Sequence, residues 1–199
     1  MLGKEMKMSK SSVKPTNDFC PQTLFLYGTY DDEGKADFGL FCWFSYIWDG
    51  ELGVMACIGG EKLTKDSIHK RKVFSANLVT EELLPLADFM GNTPGRSKEK
   101  MKVNAAVEAE EGRVLHVPII KASPVNYELE VKQFIPLEDG EVLLCRIRNV
   151  LQSDLLSAGG QANSTEKLRK IAPVHTTCNR YFSWSGVDLG AWGEPMAQV

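Results

Sequence analysis

The feature that most constrains the fold is a series of β-rich segments between residues 23 and 79, separated by short turn signals. Residues 23–30 and 36–48 are rich in aromatic and β-branched side chains and flank the acidic, glycine-containing stretch DDEG. The dipeptide Asp49-Gly50 separates the second segment from a short apolar one at residues 52–58. Closely spaced turns of this kind favour antiparallel hairpins over parallel crossover units. The chain is therefore predicted to build an antiparallel sheet.

Helices and further strands follow this sheet. Residues 65–72 are polar and basic and predict a helix with Thr64 as its N-cap. A second helix is predicted to open at residues 80–82 and to close at Gly91, with residues 92–104 as a loop. Residues 125–134 alternate, residues 138–140 form a turn, and residues 142–150 pair back. The predicted class is mainly β with a few helices, arranged as a closed or partly open antiparallel barrel.

Length and charge limit the domain count and the partners. The 199 residues fit one domain, predicted over residues 19–199, behind a flexible, lysine-rich N-terminal arm at residues 1–18. A net charge of −3 argues against nucleic-acid binding. No apolar run approaches the ~20 residues that span a membrane, and the N-terminus lacks an apolar signal-peptide core. We therefore predict a cytoplasmic protein with neither nucleic-acid nor membrane partners.

The cysteines and histidines predict neither a disulfide framework nor a metal site. The five cysteines are odd in number and form no CxxC pair, so we predict reduced thiols in a reducing compartment. His69, His116 and His175 lie in unrelated segments without ligand spacing. The serines lack a GxSxG context, so nucleophilic hydrolysis has no support.

The stretch GGEKLT at residues 59–64 is the candidate binding feature. It is neither a dinucleotide fingerprint nor a Walker motif, because the glycine spacing fails and the lysine and threonine are not adjacent. Its glycines let the backbone approach a ligand, and the helix start that follows attracts phosphate. An ordinary capped helix with solvated lysines explains the same residues. The preceding aromatic cluster is likewise typical either of a core or of a cofactor site.

Taken together in order, three strings carry a family resemblance: EGKADFGLFCWFSY, GVMACIGGEKLTKDSI and VFSANLV. With LADFMGNTPGRSKEKM and the later IAPV, they resemble the flavin reductase-like family with the FMN-binding split barrel, its flavoredoxin-like subgroup in particular. The resemblance spans about residues 20–190. It implies an antiparallel, Greek-key split β-barrel that forms a homodimer and binds FMN non-covalently at the subunit interface.

The resemblance also implies site residues. The edge of the isoalloxazine is expected to contact Phe41, Cys42, Trp43 and Phe44. The FMN phosphate is expected to contact Ser45, Lys62 and Thr64. The floor of the site is expected to comprise Cys57, Ile58 and Gly59. The nicotinamide face is expected to be shaped by His175, Tyr181 and Trp184, with His175 the one catalytic candidate. The bulky Leu40-Phe41-Cys42-Trp43 segment departs from the small or hydroxyl residues of many members.

Three functions are consistent with these residues. In the first, NAD(P)H delivers hydride to N5 of FMN, and the flavin carries the chemistry, so no acid–base residue is required. In the second, the protein is an FMN-binding electron carrier that a protein partner reduces. In the third, it is a barrel-shaped interaction module whose basic segment, residues 62–72, meets a partner and binds no flavin.

Overall fold

The computed structural model describes residues 9–156, 163–177 and 179–199. Its main sheet has seven antiparallel strands. In chain order they are β2 (Phe25–Tyr30), β3 (Ala36–Phe41), β4 (Phe44–Trp48), β5 (Leu52–Ile58), β6 (Val73–Leu78), β9 (Val125–Leu137) and β10 (Gly140–Gln152). Side by side in the sheet they lie in the order β3-β2-β6-β9-β10-β5-β4. The predicted mainly β, antiparallel class is confirmed.

The sheet curls because its two edge strands are consecutive in the chain. Only Cys42 and Trp43 separate β3 from β4, which occupy opposite edges. The single strand predicted over residues 36–48 is thus two strands. The Phe44 N–H donates to the Cys42 carbonyl at 2.9 Å, so the backbone turns sharply at this point. Strand β5 pairs with β10, whereas the chain continues into β6, which two strands, β10 and β9, separate from β5 in the sheet; this is the Greek-key arrangement.

Smaller elements cover the barrel. One short sheet has four strands, in the order β1 (Gln22–Thr23), β11 (His175–Thr176), β12 (Arg180–Phe182) and β13 (Asp188–Ala191). A second pairs β7 (Ala109–Glu111) with β8 (Pro118–Ile120). The helices of the described residues are α1 (Leu63–Arg71), α2 (Leu84–Asn92), α3 (Lys98–Ala106) and α4 (Ser164–Ile171). Two 3-10 turns complete the fold, Asp154–Leu156 and Pro195–Gln198.

Strand β2 is buried on both faces, which produces two apolar cores. Phe25 and Tyr27 point into the barrel interior, whereas Leu24 and Leu26 point outward against α2 and the C-terminal segment. Because side chains alternate along a strand, one strand contributes to both cores. The predicted alternation of residues 125–131 is confirmed, since Val125, Leu129 and Val131 lie in the barrel core with Tyr127 packed against it.

Several predicted boundaries differ from the structure. Helix α1 begins at Leu63 with Lys62 as its N-cap, so Thr64 lies inside the first turn and is not the cap. Pro85 lies in the first turn of α2, where its missing N–H costs nothing. The predicted loop at residues 92–104 contains α3, whose N-cap Ser97 accepts from the Lys100 N–H. That serine was the available signal.

Candidate functional site

An apolar cavity of about 320 Å³ lies where β3 turns into β4, beside the end of β5. Two half-exposed indoles line it: Trp43 is 51% exposed and Trp192 is 45% exposed. Two exposed indoles that line one cavity form an apolar patch of the kind found at ligand-binding sites. The other lining residues are Leu24, Leu40, Phe41, Cys42, Cys57, Ile58, Gly59, Lys62, Gly91 and Asn92.

A polar cavity of about 730 Å³ continues from the apolar one. The two share Leu40, Lys62, Gly91 and Asn92, so they form one cleft. The polar part lies between the start of α1, the end of α2 and the loop at residues 93–97. Its charged lining residues are four cations and two carboxylates, so that its net charge is positive: Lys62, Lys65, Arg96, Lys100, Glu61 and Asp66. The cleft therefore offers an apolar end and a positively charged end.

The start of α1 supplies anion-binding geometry to the polar cavity. The first intrahelical bond runs from the Asp66 N–H to the Lys62 carbonyl at 3.2 Å, so the preceding N–H groups have no partner within the helix. Gly60 has φ +62°, which lets the chain turn into the helix. The Lys65 ammonium donates to the Gly60 carbonyl at 2.6 Å and stabilises that turn. Helix N–H groups and cations together suit a phosphate.

Close packing fixes the walls of the cleft. A Cβ atom on Gly91 would come within 2.7 Å of the Leu40 side chain, so α2 packs closely on β3 at this glycine. A Cβ atom on Gly95 would lie 3.1 Å from the Leu63 Cβ, which shows how tightly the 93–97 loop packs on α1. On this loop, Arg96 lies 3.6 Å from the Asp66 carboxylate.

A buried polar network lies beneath the polar cavity. The Asp37 carboxylate accepts from the Thr64 hydroxyl at 2.6 Å and from the Asn104 amide at 2.7 Å. Burial, and to a smaller extent the charge of Asp37, raises the pKa of Tyr27. A hydrogen bond with the Thr64 hydroxyl offsets part of this rise. Burial lowers the pKa of Lys100 although Asp37 opposes this shift; its ammonium donates to the Met90 carbonyl at 2.7 Å. The network ties β3, α1 and α3 together.

The Thr64 hydroxyl therefore serves the network, and we expect Thr64→Val to affect stability more than ligand binding. The variant leaves the buried Asp37 with one fewer donor, so unfolding should become easier by about 1–3 kcal/mol. Its backbone N–H remains, so affinity for FMN, the ligand that the family resemblance implies, should stay within about 3-fold. Chemical denaturation and FMN titration measure the two effects. A loss of affinity of tenfold or more at unchanged stability would restore the predicted phosphate contact of the hydroxyl.

The structure brings most predicted cofactor residues together. Those that line the cleft are Phe41, Cys42, Trp43, Cys57, Ile58, Gly59, Lys62 and Thr64. Burial raises the pKa of the Cys57 thiol, which is therefore a neutral wall of the cavity. Phe44 is placed elsewhere, because its ring packs 4.4 Å from that of Phe25 in the barrel core. Ser45 lies exposed on β4, and its hydroxyl is 3.4 Å from the Tyr46 carbonyl.

The residues predicted for the nicotinamide face lie apart from the cleft. His175 and Trp184 line a third cavity of about 430 Å³, whose lining residues include none of the cleft's. Their rings lie 5.6 Å apart, and burial lowers the pKa of His175. Tyr181 is fully buried and donates its hydroxyl to Asp88 at 2.7 Å. None of the three lines the described cleft.

Sequence reasoning missed Trp192, Arg96 and Asn92 as cleft residues. Each lies far along the chain from the strands that it faces, so local patterns could not place it. The aromatic, glycine-rich C-terminus was the signal for Trp192. Among the described residues, no group of three or more His, Cys, Asp and Glu side chains could hold a metal ion. No helix in the described ranges is long and apolar enough to span a membrane.

Comparison with known families identifies the fold. The model of the family described as flavin reductase like domain matches residues 18–166, more than half of the chain. The chain belongs to the flavin reductase-like family. The predicted family, and with it the split-barrel fold, is confirmed. Among curated proteins, no sequence matches this flavin reductase-like chain.

Solved structures with the same fold are distant in sequence. A flavoredoxin from Methanosarcina acetivorans is 20% identical, with 87% of this chain and 91% of that chain covered and a TM-score of 0.74. Nitrilotriacetate monooxygenase component B from Bacillus cereus is 14% identical, with 88% and 96% covered and a TM-score of 0.73. An FMN-binding protein from Thermus thermophilus is 16% identical, with 90% and 95% covered and a TM-score of 0.69. At these identities the likeness shows the shared fold of the flavin reductase-like family.

Proposed function

We propose that this chain is an FMN-binding oxidoreductase that accepts hydride from NAD(P)H. One observation carries the proposal: a single cleft joins an apolar cavity with two half-exposed indoles to a polar cavity lined by cations. FMN has a matching division, because its isoalloxazine is a planar aromatic ring system with an apolar dimethylbenzene part and its phosphate is anionic. The family membership and the FMN-binding protein of the same fold support this choice.

The residues of the cleft fit FMN at both ends. Trp43 lines the apolar cavity with a half-exposed indole that the isoalloxazine can contact. Gly59 has no side chain, so the ring can approach the backbone closely there. Lys62 lines both cavities, which supports a contact between its ammonium and the phosphate beside the start of α1. When bound, FMN supplies the redox chemistry by accepting a hydride at N5. The chain's own residues bind and orient the ring, exclude water from the apolar end and hold the phosphate.

Anaerobic reduction tests this function. Purified protein is saturated with FMN, and NADH or NADPH is added without oxygen while the visible flavin absorption is followed. We expect one of the two nucleotides to bleach the flavin band within seconds of mixing, as followed by stopped-flow absorption. The same solution without protein is the control. A band that persists until dithionite is added would contradict the use of NAD(P)H.

The second candidate is an FMN-binding electron carrier reduced by a protein partner. The half-exposed Trp43 and Trp192 at the cleft favour it, because aromatic residues are enriched where proteins bind one another. The likeness to a flavoredoxin structure also supports it. In the anaerobic test this function predicts dithionite-dependent, and not nucleotide-dependent, bleaching.

We also propose a homodimer in the cytoplasm. Apolar side chains on β4 and β5 stay solvent-exposed in one chain: Tyr46, Trp48, Leu52 and Met55. A second copy that covers this surface would remove them from water. The thiols of Cys20, Cys57 and Cys145 form no disulfide, which is consistent with a reducing compartment; Cys178 lies outside the described residues. We expect sedimentation equilibrium to give twice the chain mass, and a monomer at micromolar concentration would contradict the dimer.

A further inference from the structure

The C-terminal segment supplies one wall of the apolar cavity. Strand β13 ends at Ala191, Trp192 follows, and the 3-10 turn at Pro195–Gln198 packs on α2. The Trp192 indole lines the apolar cavity, and its ring lies 6.4 Å from that of buried Tyr181 in a stacked orientation. The family model ends at residue 166, so this wall comes from a part of the chain that the model does not match.

One buried carboxylate fixes this segment. Asp88 on α2 is 0% exposed, and its Oδ1 accepts from the Tyr181 hydroxyl at 2.7 Å and from the Gly193 N–H at 2.9 Å. The Met196 N–H donates to Oδ2 at 2.9 Å, and the Asn92 amide donates to Oδ1 at 2.7 Å. Asn92 itself lines the cleft. Charge-assisted bonds of this kind are among the stronger ones in proteins.

The backbone on both sides of Trp192 is fixed in the same way. The Ala191 N–H donates to the Glu194 carboxylate at 2.7 Å, and the Trp192 N–H donates to the Asn179 carbonyl at 3.1 Å. The Gly193 N–H donates to Asp88. Three successive N–H groups are therefore held, two of them by carboxylates. The backbone that carries Trp192 is therefore held in place, although 45% of the residue's surface stays open.

From this geometry we infer that Trp192 contacts the isoalloxazine ring and that Asp88 is a positioning residue acting through the C-terminal turn. The inference rests on the proposed FMN site and adds a ring contact to it. A preformed indole loses little conformational freedom when the ring binds, so its remaining apolar surface contributes fully to affinity. Because this contact concerns the ring, it acts equally on FMN and on riboflavin, which lacks the phosphate.

The experiment compares two flavins and one anion across matched variants. Dissociation constants for FMN, riboflavin and inorganic phosphate are measured for the wild type, Trp192→Ala, Trp192→Phe and Asp88→Asn. Trp184→Ala is the control, because Trp184 is 44% exposed but lines the third cavity. We expect Trp192→Ala to weaken FMN and riboflavin by the same factor of about 10. Phosphate affinity should stay unchanged, and Trp192→Phe should restore most of the flavin affinity.

Asp88→Asn tests the positioning role. The asparagine keeps one acceptor oxygen but places an amide N–H₂ against the Met196 N–H, which loosens the C-terminal turn. We expect flavin affinity to fall by about 3- to 10-fold at unchanged phosphate affinity, and amide hydrogen exchange at residues 191–198 to accelerate. A merely structural role would weaken all three ligands together.

Three results would overturn the inference. Wild-type affinity for both flavins in Trp192→Ala and in Trp192→Phe would remove Trp192 from the site and leave the FMN proposal standing. An equal loss in Trp184→Ala would do the same, since the effect would then be general. If the wild type bound phosphate but neither flavin, the proposed function would fail, and the ring contact with it.

Discussion

Replacing Lys62 by alanine is expected to weaken FMN binding by about 10- to 100-fold, because a charge-assisted hydrogen bond contributes about 1.5–3 kcal/mol. Lys62 is the cation that lines both cavities, directly before the first turn of α1. There its ammonium and the helix N–H groups converge on the place proposed for the phosphate. Riboflavin affinity should change by less than about 3-fold, since that ligand carries no phosphate.

Lys70→Ala is the matched control for this prediction. Lys70 lies in the last turn of the same helix and pairs with Asp32 at 2.5 Å, away from the cleft residues. The two variants each remove one positive charge, at the start and in the last turn of the same helix. A non-specific electrostatic effect would therefore weaken FMN binding in both. Titrations at low and moderate salt provide the measurement. Equal losses for FMN and riboflavin in Lys62→Ala would place the lysine near the ring and contradict a phosphate contact.

Replacing Glu128 by glutamine is expected to lower the free energy of unfolding by about 2–4 kcal/mol at neutral pH. The carboxylate on β9 is 0% exposed. One oxygen accepts from the Leu115 N–H at 2.6 Å and the Val114 N–H at 2.9 Å, and the other from the Arg113 N–H and the Asn149 amide. Whichever way the glutamine amide turns, its N–H₂ faces two donors.

The effect of Glu128→Gln should also depend on pH. Burial on its own would raise the pKa of Glu128, but the four donors outweigh it and hold that pKa below its usual value of 4.5. A carboxyl whose folded pKa is lowered stabilises the protein above its unfolded pKa, and this contribution disappears as the pH falls through the folded pKa. The difference between wild type and variant should thus be full at pH 7 and shrink below about pH 4.

Chemical denaturation at pH 7 and at lower pH measures this prediction. Glu130→Gln is the control, because Glu130 lies two residues away on β9 and pairs with Arg148 at the surface at 2.6 Å. An exposed pair contributes about 0–1 kcal/mol, so that variant should stay close to the wild type. Equal destabilisation by the two variants, or a difference that does not change with pH, would show that the buried donors do not stabilise the carboxylate.

The barrel was predictable because its signals are local. Alternation at residues 125–131 and the turn before Gly140 fix the β9–β10 hairpin, and the order of the early strands follows from short turns. The break at Cys42 and Trp43 was not predictable in this way. Both halves of residues 36–48 have strand composition, and only the closing of the barrel places them on opposite edges of the sheet.

The site was predictable in part for the same reason. Residues near 41–43 and 57–64 are close in sequence to the strands that they extend, and the structure brings them into one cleft. The role of the Thr64 hydroxyl depends on Asp37, a partner 27 positions away. Trp192 lies at the cleft next to Gly193, whose N–H donates to Asp88, a residue more than 100 positions earlier. A local sequence pattern cannot reveal such a contact.

Titrating FMN into the purified protein tests whether the cleft binds flavin. Flavin fluorescence and visible absorption are followed as FMN is added, with free FMN in the same buffer as the reference. We expect saturable binding of one FMN per chain, with quenched flavin fluorescence because indole rings line the cavity. Absorption and fluorescence that match free FMN at every concentration would contradict it.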